Sequence, residues 1–447
     1  MTFLHSVNVL VNINAHRISK KNGFLAIAAG AILFSSSICA QSPYSRFGFG
    51  GYLKPQSIGQ TSTSSLGIGF RSTTMLNLNN PAALSELEWT TFEAGARIDN
   101  YRINLGNQTF SSPTGRVSNL AIAVPIRVKN KKRWGSSFSL SPSGVVQYAF
   151  NEEIDSLGIE HTKYERGSGS SYAVNWSNGW LWNATSIGLS CIYSFGTESN
   201  FQGIIVDDSL NARNSRKTSR LNHQSLQFNL GWQYTIPFGA AKLDRFQPKL
   251  TLGASLAATA QANRNITRQD ELTLTSVLTG QEVAIDTLSI EEVSAGSLPR
   301  GMDHVGLGLS VGDHRAWLIH ADYRYSLYNE YFHWLPGPEN YRNTHYAALG
   351  FRGTPNYSSR NFFARIEYRL GGHWEQSPLI IDGIALNTFG MAFGVGLPMG
   401  KSMSRLNLSV AFERRSGGGN LLSQEDWVSL VIGVNLNDKW FVKRKFN

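Results

Sequence analysis

The sequence predicts an all-β protein, a 14-stranded antiparallel transmembrane β-barrel of the outer-membrane type. Three observations carry that reading. From Thr91 nearly to the C-terminus, apolar and polar residues alternate with period two in strand-length blocks. The connections between blocks are alternately short and long, as they are in a barrel with turns at one end and loops at the other. Aromatic residues gather at strand ends: Trp134, Trp180, Trp182, Trp232 and Trp317 near short connections, and Tyr325, Tyr328, Tyr331 and Phe332 near a long one. Two bands at opposite ends are the expected interfacial girdles, whereas a soluble sandwich would hold its aromatics mid-strand.

In chain order, residues 1–40 read as a signal peptide. Arg17, Lys20 and Lys21 precede an apolar run at 24–34 and the small-residue stretch Ser35-Ser36-Ser37-Ile38-Cys39-Ala40, with cleavage placed after Ala40. Cleavage as a lipoprotein before Cys39 would require a small residue where Ile38 stands. The mature chain then keeps one cysteine, Cys191, which excludes an intramolecular disulfide framework. Residues 41–90 are irregular and rich in Gly and Ser. They end at Asn79-Asn80-Pro81-Ala82-Ala83-Leu84, where Asn-Pro sets a turn and 82–87 can begin a single helical turn.

Candidate strands follow at 91–104, 116–128, 133–148, 169–179, 184–206, 221–238, 246–262, 302–312, 316–328, 342–352, 361–371, 386–398, 405–414 and 425–437, which makes fourteen. Short connections fall at 129–132, 180–183, 239–245, 313–315 and 401–404, with a longer one at 353–360; the long set runs from 105–115 up to 263–301. An even strand number with this alternation puts both termini on the short-turn side, the periplasm. Residues 438–447 form a basic tail.

The sixth block shows the facing pattern. Leu226, Phe228, Leu230, Trp232, Tyr234 and Ile236 alternate with Gln227, Asn229, Gly231, Gln233 and Thr235, as when one face meets lipid and the other a wet interior. The third block is interrupted by Pro142 and Gly144. Proline removes a ladder donor and glycine weakens a strand, so pairing to a neighbour should fail locally. The residues of opposite parity, Ser137, Ser139, Ser141 and Ser143, are all small and leave space against the wall. The competing reading is a bulge that only adjusts barrel shape. In the longest connection Leu272, Leu274, Val277 and Leu278 precede Thr279-Gly280, then Val283 and Ile285, which reads as a hairpin projecting outward. Its apolar residues either receive a ligand or pack together as a cap.

Composition excludes several functions. With 16% charged residues and no run of ~18 apolar residues, a helical membrane protein does not fit. The net charge of +10 falls to +7 once Arg17, Lys20 and Lys21 are removed, and the one dense basic cluster, Lys129, Lys131, Lys132 and Arg133, lacks interleaved aromatics, so nucleic acid is not an expected partner. The glycine clusters Phe47-Gly48-Phe49-Gly50-Gly51 and Gly67-Ile68-Gly69-Phe70 complete no nucleotide fingerprint. No catalytic motif is present; Ser310 and His320 on neighbouring strands are the best pair available, and a lumen-facing histidine is the ordinary account of such a residue. Asp207-Asp208 and Glu291-Glu292 are the acidic pairs able to touch a divalent ion, and solvated loop acids are the usual case. No cofactor and no metal is expected.

The segment Asn80-Pro81-Ala82-Ala83-Leu84, just before the first strand, resembles the hatch motif of the long-chain fatty-acid transporter (FadL/OMPP1/TodX) family of outer-membrane proteins. The opening Ser42-Pro43-Tyr44-Ser45-Arg46-Phe47-Gly48 and the ending Asp438-Lys439-Trp440-Phe441-Val442-Lys443-Arg444-Lys445 are similar to a Bacteroidetes branch of it. The resemblance implies that residues 41–90 form a hatch inside the barrel at 91–437. It implies passive uptake of hydrophobic small molecules, landing on loops that include the 263–301 hairpin and leaving sideways through a gap at the third strand. The alternative is a non-transporting barrel, a scaffold or shuttle in an outer-membrane secretion or assembly machine, like the related barrel subunit of the type IX secretion system. Implied partners are outer-membrane lipid, a hydrophobic ligand and, on the alternative, proteins of such a machine.

Overall fold

The computed structural model describes residues 42–46, 51–53, 56–105, 108–129, 132–156, 159–206, 213–238, 247–275, 282–295, 302–313, 316–328, 340–381, 383–400, 402–417 and 424–440. The leader and its cleavage position, residues 47–50, Lys131, Asp207, Asp208, Val277, Leu278, Tyr331, Phe332 and the tail beyond Trp440 lie outside them.

Fourteen antiparallel strands close into a barrel: β1 Thr90–Leu105, β2 Gln108–Lys129, β3 Lys132–Ser156, β4 Ile159–Trp182, β5 Thr185–Val206, β6 Asn214–Pro237, β7 Lys249–Thr275, β8 Met302–Asp313, β9 Trp317–Ser326, β10 Thr344–Gly353, β11 Glu367–Ile381, β12 Ile384–Pro398, β13 Arg405–Gly417 and β14 Gln424–Asp438. Each pairs with its sequence neighbour. The ring closes between β14 and β1, from Gln424↔Asn104 to Asp438↔Thr90. The count and the order of strands match the sequence reading, including β5 as one uninterrupted strand across Gly196.

Three differences stand out. Strands β2, β3, β4, β6 and β7 run well beyond their predicted ends, so residues expected in loops at 108–115, 149–156, 159–168, 214–220 and 263–275 are paired strand. Those extensions are polar on both faces (Glu152, Glu153 and Asp155 on β3; Lys163, Glu165 and Arg166 on β4), so the period-two signal fades where the wall leaves lipid. The hairpin expected at 263–301 is formed by the upper part of β7 and a strand at Glu282–Ala295, which is not a wall strand. Finally, 361–366 is not strand: Asn361 caps a short helix, Phe362–Arg365, by accepting from the Phe363 N–H at 3.0 Å, and β11 begins only at Glu367.

The wall is consequently of two heights. β2 to β7 have 22–27 residues each, whereas β8 to β14 have 10–15. About 10 residues span a bilayer, so β3 to β7 rise roughly 30 Å beyond it as a crown on the long-loop side. Tyr164 on β4 hydrogen-bonds Glu282, which pairs with Thr275 at the turn end of the hairpin.

The outer face carries exposed apolar side chains in the lower half, among them Trp176, Ile187, Leu230, Leu307, Leu349 and Phe393. The inner face is polar and closely tied. Glu367 on β11 sits among Arg352 at 2.7 Å, Arg369 at 3.1 Å and Arg405 at 3.5 Å, all well buried except Arg405. Removing one partner of such a cluster leaves buried charge unpaired. Glu367→Gln should therefore cost about 3–5 kcal/mol, while Asp426→Asn, which breaks the exposed Arg414 pair, should cost less than about 1 kcal/mol. Thermal loss of folded gel mobility, compared between the two variants, checks this.

Candidate functional site: hatch, lumen and seam

Residues 56–87 fill the short-turn end of the barrel and are nearly all buried. Their local structure follows from their polar residues. Ser57 begins a turn of helix at Ile58–Thr61, closed reciprocally by Gln60, whose side chain accepts from the Ser57 N–H at 3.1 Å. Asn80 caps the 3-10 helix Pro81–Glu86 by accepting from the Ala82 N–H at 3.1 Å, and Pro81 supplies the preset φ of the first position. The single helical turn expected after Asn-Pro is this helix.

The motif residues Asn80, Pro81 and Ala82 seat on glycine. A methyl group added at Gly231 would meet Asn80 Oδ1, one at Gly179 the Pro81 carbonyl oxygen, one at Gly188 the Ala82 nitrogen and one at Gly135 the Leu84 carbonyl oxygen. These four inward positions lie on β3 to β6, next to the short turns. Without a Cβ the wall lets the hatch backbone approach directly, which is the purpose of the glycines there. Asn80 also donates to three carbonyls, Ile68 at 2.8 Å and Trp232 and Ala254 at 3.2 Å. Asn80→Ala removes the cap and orphans these acceptors, and should cost about 3 kcal/mol; a lower melting temperature of the folded barrel, with Asn80→Asp intermediate, is the expected result.

Two buried carboxylates hold the rest of the hatch. Asp322 on β9 accepts from the Gly67 and Ile68 N–H groups at 2.6 and 2.8 Å. Glu93 on β1 accepts from the Ile58 N–H at 2.6 Å and from Ser57 Oγ at 2.9 Å. Arg71 reaches Ser186 Oγ at 2.9 Å, Thr235 Oγ1 at 2.8 Å and Glu86 at 3.2 Å. Apolar contact completes the seat: Leu76, Leu78, Leu84 and Leu87 pack on Ala121 and Ala123 of β2. Gly67-Ile68-Gly69-Phe70 is thus a backbone-donor loop for Asp322, and Gly69 fits against the backbone of Gly308 and Leu309.

Above the hatch lies a cavity of about 460 Å³. Its floor includes Tyr44, Leu53, Gln56 and Ser65; its walls mix Arg97, Arg116, His223, Asp303, Glu375 and Arg415 with Tyr101, Ile192, Leu379 and Trp427. Arg415 stacks over both Tyr44 and Trp427, at 5.7 and 5.2 Å from the ring centroids. Ser141, Pro142, Ser143 and Gly144 line the cavity as well. Ser139 does not; it is buried lower on the same strand.

The wall parts beside those residues. β2 pairs with β3 only from Lys129↔Lys132 up to Leu120↔Leu140. Above that level β2 stays with β1 and β3 stays with β4, which leaves a seam. On the β4 side Ser143 is the extra residue of a bulge between Pro142↔Tyr172 and Gly144↔Ser171. Gly51–Tyr52 lies in the seam, paired with Val145 and Gly144, and the Leu53 N–H donates to the Ser143 carbonyl at 2.9 Å. Exposed Val117, Leu120 and Ile98 flank the lower part of the seam, so it begins within the apolar band.

Of the residues expected in the hairpin, Leu272 and Leu274 are half-buried on β7, while Val283 and Ile285 are exposed on the facing strand; none of the four lines the cavity. Ser310 and His320 are cross-strand partners, but the Ser310 hydroxyl donates to the Gly69 carbonyl at 2.8 Å, and the His320 ring packs by Phe70 with neither nitrogen hydrogen-bonded. They belong to the hatch seat. Among the described residues no group of three or more His, Cys, Asp or Glu is placed to hold a metal.

The sequence model of one family, described as BamG, matches residues 20–447. The chain belongs to the BamG family. This BamG chain has structural neighbours among outer-membrane barrels. A FadL homologue of Pseudomonas aeruginosa superposes with a TM-score of 0.54 at 12% identity, covering 87% of this chain and 99% of the other. A TodX deletion variant described as a monoaromatic hydrocarbon channel gives 0.51 at 13%, covering 86% and 100%. The Pseudomonas putida toluene transporter TodX gives 0.48 at 13%, covering 86% and 98%. No curated protein sequence matches. At such identities the likeness is one of fold: the BamG chain is a FadL-like barrel of the outer membrane.

The glycine seat and the two carboxylates were not legible as a site in the sequence. A signal for the first existed: Gly135, Gly179, Gly188 and Gly231 all stand at inward parity within a few residues of a short turn.

Proposed function

We propose that the barrel admits small hydrophobic molecules from the cell surface into its lumen and releases them sideways into the outer membrane through the seam between β2 and β3. The observation that supports this most is the junction of cavity and seam: the chamber above the hatch is lined by the residues at which the wall parts. In this reading Ser141, Pro142, Ser143 and Gly144 form the gate, with Ser139 below it. Pro142 withholds a ladder donor and Gly144 withholds a side chain. Apolar molecules land first on the hairpin of Leu272, Leu274, Val283 and Ile285. The hatch of residues 41–90, with Asn80, Pro81 and Ala82 as its anchor, closes the direct route, and both termini face the periplasm. No chemistry is performed on the ligand.

A second reading is favoured by the BamG family match: a barrel that serves as a subunit of an outer-membrane assembly machine. The many bonds that fix the hatch, and the strand Gly51–Tyr52 that occupies the seam, suit a sealed scaffold. Mass spectrometry of the lipids and proteins that co-purify in mild detergent separates the two. An apolar molecule held in the lumen supports transport; a large stable protein complex around a barrel with no such molecule supports the scaffold.

A further inference from the structure

We infer that the strand Glu282–Ala295 is a docking edge that adds an extended, basic segment of another protein to the crown by strand pairing. The inference goes beyond both readings above, because it stands on a backbone edge outside the lumen. Among the described residues this strand pairs with β7 and with no other. One row of its N–H and C=O groups is therefore available to a further strand, the situation that most sheets avoid by burying, shortening or charging the edge. The protections here are two bulges toward one end and acidic side chains, which repel like edges but not a basic one. The sequence EVAIDTLSIEEVSA has no Lys, Arg, Pro or Gly. Two bulges interrupt the ladder near Ile285 and Leu288, but from Ser289↔Asp270 to Ala295↔Arg264 the register is unbroken over seven residues. Ile290 and Val293 are 62% and 39% exposed within that stretch, and they point to opposite faces.

Charge selects the occupant. The strand carries Glu282, Asp286, Glu291 and Glu292 and no cation. Glu282 and Glu291 are engaged by Tyr164 and Arg268, while Asp286 and Glu292 make no ion pair among the described residues. A second copy of this edge would set carboxylates against carboxylates, which directly opposed strands disfavour. A segment that alternates apolar residues with Lys or Arg instead gains ladder bonds, apolar cover for Val293 on one face, and cations beside Glu292 on the other.

The test uses the full-length protein in detergent and a synthetic peptide of about eight residues alternating valine and lysine, the length of a typical added strand. It should bind at least about tenfold more tightly than its valine–glutamate counterpart, and a backbone N-methylated version should not bind. Ile290→Lys combined with Glu292→Lys, both exposed and so harmless to folding as judged by gel mobility, should weaken binding at least about tenfold. Amides at 289–295 should gain hydrogen-exchange protection when the peptide is bound. Equal binding of the two peptides, unchanged binding by the double variant, or a dimer of the protein formed through this edge would each overturn the inference.

Discussion

Gly188→Val should produce a barrel that inserts and closes but no longer holds its hatch. The new side chain would occupy the place of the Ala82 nitrogen and the Pro81 carbonyl carbon. A clash with backbone finds no relief in a rotamer change, so the penalty exceeds ordinary overpacking, at about 3 kcal/mol or more. Because the anchor is one short turn seated on Gly135, Gly179, Gly188 and Gly231 together, a clash at one of them lifts it from the other three, and should release the segment and not only strain it. We expect protease to cleave within 56–87 at least about tenfold faster in the variant, and ion conductance in planar bilayers to rise above that of the parent. Gly115→Val is the control: nothing lies within 4 Å of its added carbon, and it should behave as the parent does. Parent-like protection in Gly188→Val would mean that the hatch is seated elsewhere.

The second large effect is expected at the seam. Pro142→Val with Gly144→Val restores a ladder donor and a side chain where the wall parts. A net hydrogen bond contributes about 1 kcal/mol and glycine in a strand costs about as much, so the variant should melt slightly higher than the parent. Uptake of a hydrophobic fluorescent probe by intact cells, at equal surface abundance, should fall by about tenfold if the seam carries the molecule, equivalent to about 1.4 kcal/mol on the rate-limiting passage. Undiminished uptake would refute lateral exit. If uptake is undiminished and co-purifying proteins are lost instead, the assembly reading gains.

What the sequence disclosed, and what it did not, follows from how far each signal reaches. Strand number and order were legible because every strand presents several outward apolar residues to lipid, as Leu226 to Ile236 do on β6, and that pattern needs no knowledge of a partner. The crown was not legible: at Glu152 and Glu153 or Arg216 and Lys217 water lies on the outside, so only backbone pairing marks the strand. Phe362 and Phe363 imitated the start of a strand, although a capping asparagine makes them a turn of helix. The Asn80 anchor was visible as a motif, and its helix as a consequence of Asn-Pro. Its counterpart was invisible, because a lone inward glycine reads as a weakness of the strand until the hatch is known to lie against it. Asp322 and Glu93 were equally silent, since each meets its donor loop only when the hatch is folded against the inner face of the wall.

Closure has a consequence for how the molecule is made. Gly433 on the last strand lies against Ile58, as does Gly95 on the first, and these two strands form the join of the ring. The N-terminal segment thus leaves the ribosome first and reaches its final neighbours last, after some 370 residues of chain have been ordered between them. Contacts of such sequence separation are slow to form, because the chain entropy lost in bringing the ends together comes before any bond is gained. A hatch already collected on the inner faces of β3 to β6 would give β14 and β1 a common surface on which to meet. The segment that fills the finished barrel would then also be the template on which the wall finds its circumference.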